Sequence, residues 1–289
     1  MRLLYNFVSL PPRSIDGYNP KTIFMTRFIK ASFLCVMVLL AAAMPLSVAA
    51  DDGKIVSKNM KVGNFDEIEV SGNIEVTYTK GSGLMNVKGP ADMVKRLKAR
   101  VESGTLKLSL TNQSGLFSKN NGKGRKVKIS VLSQRLDELD ASSGAVVNVK
   151  SPVNAPDDFE IDASSGAVVN VGSIIAPKCG IDVSSGAVVN VKSVDVGKIS
   201  VDSSSGAVLS LPSVKATTVN VDMSGGSVTD ISGQCGTLNV DISGGAVGSL
   251  KGLKAKVANI DASGGAVLDY SAAKASVDKG WSAVVSNHR

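Results

Sequence analysis

Aspartate is the residue in this chain that most invites a chemical reading. It recurs at 140, 162, 182, 202, 222, 241 and 261, each time opening the phrase Asp-x-Ser-[Ser/Gly]-Gly-[Ala/Ser]-Val. Carboxylates in such number suit general acid–base catalysis or calcium ligation through several oxygens. Catalysis needs one special constellation, however, and these seven copies are alike. Calcium-binding β-rolls carry a Gly-Gly-x-Gly-x-Asp nonapeptide, whereas here Ser is the only second column of oxygen ligands. The favoured role is local. Each carboxylate is expected to accept the backbone N–H two residues on, from Ser142, Ser164, Ser184, Ser204, Ser224, Ser243 or Ser263, closing an Asx-type turn.

The departures from the repeat are the other candidates. Asp157 and Asp158 follow Pro156 in the longest interval, and adjacent residues on a strand face opposite sides, so a solvated loop is expected there. Lys150 and Lys192 also break the pattern. The only His is His288, which excludes Ser/His/Asp and Cys/His catalysis and any multi-His metal site. Beyond residue 133 the only aromatics are Phe159, Tyr270 and Trp281, few platforms for a sugar lyase or a lectin. Trp281 is expected to cover the last coil. No catalytic, cofactor-binding or metal-ligating residue is assigned, and no cofactor is implied.

The elements that hold these residues follow from the period. The Asp intervals are 22, 20, 20, 20, 19 and 20 residues. The residue before each Asp is apolar (Leu139, Ile161, Ile181, Val201, Val221, Val240, Ile260), and so is the ninth after it (Val149, Val171, Val191, Leu211, Ile231, Leu250, Tyr270). The eighth is polar: Asn148, Asn170, Asn190, Ser210, Asp230, Ser249 and Asp269. Short strands with alternate residues turned inward fit this pattern. The Gly four after each Asp marks a bend that tolerates φ > 0. The period is too short for a propeller blade and lacks helical spacing. It predicts an all-β parallel β-helix of ~20-residue coils stacked ~4.8 Å apart. Cys179 and Cys235 would lie three coils or ~14 Å apart, too far for a bridge, so two free thiols are expected.

Residues 25–50 read as a secretory signal. Arg27 and Lys30 precede the apolar run Ala31–Met44, which holds Cys35, and Ser47-Val48-Ala49-Ala50 supplies small residues for cleavage. Residues 1–24 fit neither a core nor a signal. Residues 1–50 carry five Lys/Arg and one Asp, so 27 basic and 24 acidic residues follow them, a balance of +3 against +7 for the whole chain. That removes the case for a nucleic-acid partner. The expected organisation is leader and signal over 1–50, an irregular N-terminal β block over 51–132, regular coils over 133–275 and a C-terminal cap over 276–289. Within the block, residues 65–81, 84–87 and 105–110 read as strands, 90–98 as a short helix or turn and 114–125 as a loop.

The opening FDEIEVSGNIEVTYTKG, the stretch to LKLSL, and then VKISVLSQRLDELDASSGAV resemble the head GIN domain family of auto-transporter adhesins in Bacteroidota. The resemblance covers roughly residues 60–275. It implies an exported right-handed β-helix and supplies no catalytic residues. The expected function is a non-enzymatic, adhesin-like binding or scaffolding module of the cell envelope. Its partner would be a protein or cell-surface polymer, with no nucleic acid and no transmembrane segment after signal cleavage. The location would be periplasm, outer-membrane surface or extracellular space. The alternatives are a pectin-lyase-like polysaccharide enzyme and a lipid or small-molecule binder.

Overall fold

The computed structural model describes residues 54–111 and 125–288. Residues 1–50, expected to form leader and signal, and most of the expected 114–125 loop lie outside the described residues. From residue 138 onward the chain winds as a β-solenoid. Its strands pair in parallel with their counterparts one coil away, with Ile161 beside Leu139 and Ile181, and Asp162 beside Asp140 and Asp182. The columns foreseen as inward are buried from Leu139 to Ile260 and from Val149 to Tyr270. Small residues fill the corner column, where Ala145, Ala167, Ala187 and Ala207 stack out of water. Large and small residues compensate along the axis. A Cβ on Gly248 would lie 2.7 Å from Leu268 Cδ1, so the leucine occupies the space the glycine leaves.

Each coil turns at a two-residue bend. Ser143 and Gly144 have φ of 55° and 78°, and the Ala145 N–H donates to the Ser142 carbonyl at 3.1 Å. Two central residues at positive φ closed by this bond make a type I′ turn. The bend repeats at Ser165-Gly166, Ser185-Gly186, Ser205-Gly206 and Gly225-Gly226. In the last two regular coils only the first position, Gly244 and Gly264, keeps a positive φ. Gly245 and Gly265 stay in the bend, with the Ala246 N–H still donating to Ser243 O at 3.3 Å, but without the positive φ of their counterparts.

The N-terminal block has a different logic. Its elements are β1 (Ile55–Lys61), β2 (Glu67–Ser71), β3 (Ile74–Lys80), β4 (Leu84–Pro90), α1 (Ala91–Arg96), β5 (Leu97–Glu102), β6 (Thr105–Leu110) and β7 (Val127–Ser133). β8 (Glu138–Ser142) and β9 (Val146–Val149) then begin the regular coils. β2 pairs in parallel with both β6 and β8, and β3 with both β7 and β9. The first coil in sequence is thus second in space. The chain builds the end coil from β6 and β7 and crosses back over β2 and β3 to start the third. The crossing is pinned: the Asp137 N–H donates to Asp66 O at 2.7 Å, Tyr78 Oη to Ser133 O at 3.0 Å, and the Ser133 hydroxyl to Phe65 O. Antiparallel strands finish this end, with β5 on β6, β4 on β7 and β1 on β4.

The other end also departs from expectation. The stack does not stop at residue 275, because Asp278 lies beside Asp261 and the strand Val284–Asn287 pairs with Val267–Tyr270. A further coil is built from Val277-Asp278-Lys279-Gly280-Trp281-Ser282-Ala283-Val284. It follows after 17 residues rather than 20 because Leu250 and Lys254 sit beside Tyr270 and Ser271, a shortening of three residues on one side. Trp281 is not a lid. It occupies the bend and is fully exposed, at 107% of its reference area.

Candidate functional site

With the interior filled, function falls to the outward columns. The clearest is an amide ladder on the face that carries β3 and β9. Asn170 Nδ2 donates to Asn148 Oδ1 and Asn190 Nδ2 to Asn170 Oδ1, each at 3.1 Å. Two residues beyond each Asn, at the corner, stand Lys150, Gly172 and Lys192. The two exposed lysines are two coils or ~10 Å apart, and the glycine between them leaves a groove of about 360 Å³ floored by Val149, Val171 and the three asparagines. Cations flanking a row of amides can hold a carboxylate or sulfate group while the amides bond neighbouring hydroxyls. On the same face, a valine column at Val208, Val228, Val247 and Val267 stays exposed. A second amide ladder, Asn220–Asn239–Asn259, bonds at 2.8 and 2.9 Å on the face of the Asp column. It sits two residues before each Asp, a column whose first members (Glu138, Glu160, Gly180 and Ser200) conceal it in the sequence.

The aspartates face outward in register, as expected, but form a longer column than the seven copies suggested. Glu69 lies beside Asp140 and Asp278 beside Asp261. Beyond Glu69 stands Lys107, whose Nζ contacts Glu69 Oε2 at 2.5 Å. The Asx turns do not form. The N–H groups of Ser164, Ser184, Ser204, Ser224, Ser243 and Ser263 donate to carbonyls of the preceding coil at 2.8–3.0 Å. The inter-coil ladder takes the donors that the carboxylates were to have used. What burial and neighbouring carboxylates do instead is raise the affinity of the column for protons. Burial, with Asp182, Asp140 and Glu160 nearby, pushes Asp162 up to about 6. Burial likewise raises Asp140, Asp182, Asp202 and Asp222. Among the described residues, no group of three or more His, Cys, Asp or Glu is placed to hold a metal ion.

The remaining candidates are dispersed. Asp157 pairs with Arg135 of the coil before at 3.1 Å and Asp158 with Lys178 of the coil after at 3.3 Å, both exposed. His288 contacts Asp269 at 3.1 Å near the far end. Cys179 and Cys235 are free and buried. Cys179 stacks with Ile199 and Cys235 with Ala216, so they occupy different columns as well as different coils. Burial pushes the Cys179 thiol up to about 12 and that of Cys235 to about 11, far from a reactive thiolate.

Parallel coils, a filled interior and serial outward ladders define a β-solenoid. The chain belongs to the family described as "Putative auto-transporter adhesin, head GIN domain", whose profile matches residues 64–193 and 179–279. The same fold is found in solved structures from Bacteroidota. A "putative adhesin" from Parabacteroides merdae is 16% identical with a TM-score of 0.68, and one from Parabacteroides distasonis is 17% identical with a TM-score of 0.65. A "putative lipid binding protein" from Parabacteroides distasonis is 17% identical with a TM-score of 0.63. Each comparison covers 82% of this chain and 98% of the other. No curated protein matches the chain.

Proposed function

We propose that the protein is an exported, non-enzymatic, adhesin-like module of the cell envelope that binds an acidic, hydroxyl-rich polymer along its amide face. The observation that carries this reading is the Asn148–Asn170–Asn190 ladder with Lys150 and Lys192 on either side of Gly172. A polymer presents groups at a regular spacing, and a ladder presents donors at a regular spacing. The enzyme reading has nothing comparable, since Asp157 and Asp158 are engaged in separate exposed ion pairs. A lipid inside the rod would displace packed Ala, Val and Leu columns. The depression of about 330 Å³ within the N-terminal block offers only Phe65 and Leu132 as large apolar side chains, beside Asp66 and Arg135, too few to line an acyl chain.

Isothermal titration against polygalacturonate tests this, with Lys150→Glu/Lys192→Glu as the comparison. Binding by the parent and its loss in the double variant are expected. Equal affinity of both proteins, or turnover of the polymer that Asp157→Asn abolishes, would sink the reading. Protease shaving of intact cells, with loss of the protein from the surface, tests the location.

A further inference from the structure

At the C-terminal end the strand Val267–Lys279 lies on the coil beneath, with Lys274, Ala275, Ser276, Val277 and Asp278 beside Val257, Ala258, Asn259, Ile260 and Asp261. The last strand, Val284–Asn287, covers only Val267–Tyr270. The Asn287 side chain bonds the N–H and C=O of Ala272. From Ala273 to Lys279 the upper edge has no strand partner among the described residues. Val277 occupies the inward column of Ile260, yet is 42% exposed where Ile260 is 4%. The core is therefore open here.

Backbone direction fixes which groups meet solvent. The Gly280 N–H donates downward to Ala262 O at 2.7 Å. Counting back along the strand, Ser276 and Asp278 also turn their backbone groups downward, while Ala275 and Val277 turn theirs to the bare edge. The side chains alternate as well: Lys274, Ser276 and Asp278 outward, Ala275 and Val277 inward. This short sequence is complementary to itself when reversed. Set antiparallel about Ser276, Lys274 faces Asp278, Ala275 faces Val277, and inward residues meet inward residues. Neither Lys274 nor Asp278 has an ion-pair partner among the described residues.

We propose that this edge is the interface of an end-to-end homodimer, in which residues 274–278 of two copies pair antiparallel about Ser276. Ala275 and Val277 exchange backbone hydrogen bonds, and Val277 is covered by the other copy. Two Lys274–Asp278 pairs fix the register. The arrangement is isologous, so it closes at two copies and does not propagate into a fibre. It is independent of the amide face, which lies on the side of the rod.

Sedimentation velocity of the full chain over a concentration series tests the dimer. Asp278→Lys or Lys274→Asp places like charges opposite each other and should weaken dimerisation about tenfold. The swap Lys274→Asp/Asp278→Lys restores the pairs and should restore the dimer. Ser276→Cys tests the register, because a non-hydrogen-bonded antiparallel pair brings Cα atoms to about 4.5 Å, within reach of a disulfide. Oxidation should then give a covalent dimer, and Lys274→Cys should not. A monomer at every concentration, a dimer indifferent to single charge reversal, or a swap that fails to rescue overturns the proposal. Circular dichroism melts establish that each variant is folded.

Discussion

At one end of the rod the β6/β7 coil is finished by antiparallel strands and a helix, and its apolar residues are buried. At the other end the coils simply shorten, by three residues on one side, and leave an inward valine in solvent. A solenoid repeat cannot bury its own face, so each end must be closed or remain adhesive to another strand. The N-terminal end reverses strand direction, because an antiparallel neighbour can be joined by a tight hairpin such as Ser103-Gly104, where both φ values are positive. The C-terminal end keeps the parallel direction and stays ready for another strand.

Three experiments sharpen this contrast. The largest effect is expected from the capped end. Leu106→Ala in β6 removes a fully buried side chain and should cost about 3 kcal/mol, whereas Val277→Ala at the open end should cost under about 1 kcal/mol. Urea unfolding of both variants compares them, and equal losses would mean that the N-terminal strands do not act as a cap.

The next contrast runs along the rod. Gly206 has φ of 74°, so Gly206→Val should cost about 2 kcal/mol through backbone strain. Gly245 lies outside the left-handed region, and a Cβ there meets nothing within 4 Å. Gly245→Val should therefore melt close to the parent; a matching loss at both sites would refute the change of bend.

The smallest effect is electrostatic and belongs to the interior of the Asp column. With Asp162 raised to about 6, the folded state holds a proton that the unfolded chain has released. Its contribution is complete below about pH 4 and is lost as pH rises through 6. After allowance for solvent screening, stability should fall by about 1 kcal/mol from pH 4.5 to pH 7. Asp162→Asn should flatten that slope. Millimolar calcium or chelator should not move the melting temperature. A shift of many degrees on chelation would make the column a metal site.

The period, the inward columns, the outward Asp column and the bends were legible because each is a local regularity repeated coil after coil. Only β2 and β3 of the N-terminal block carried a visible echo, Val70-Ser71-Gly72, which aligns with Ala141-Ser142 in the third coil. β1, β5 and β7 were missed: β1 and β5 pair antiparallel at an end and need not share the repeat, and β7 lacks the Asp-x-Ser phrase that marks the later coils. The eighth Asp level was missed because its interval is 17 residues and Trp281 stands where the other bends have Ser or Gly. Of the amide groove, the asparagines and both lysines were visible as positions, but not as neighbours.

The sequence by itself determined that this chain coils, how long each coil is, and which side chains face in, because a strand's two-residue alternation and a fixed period leave one consistent solution. The tertiary structure decided what lies beside what. It placed the first coil second in the stack, because β2 has two edges and nothing in its sequence says which segment takes each. It gave the serine N–H groups to the coil beneath instead of to the aspartates, because a carbonyl held at 2.8–3.0 Å by the whole ladder outcompetes one local carboxylate.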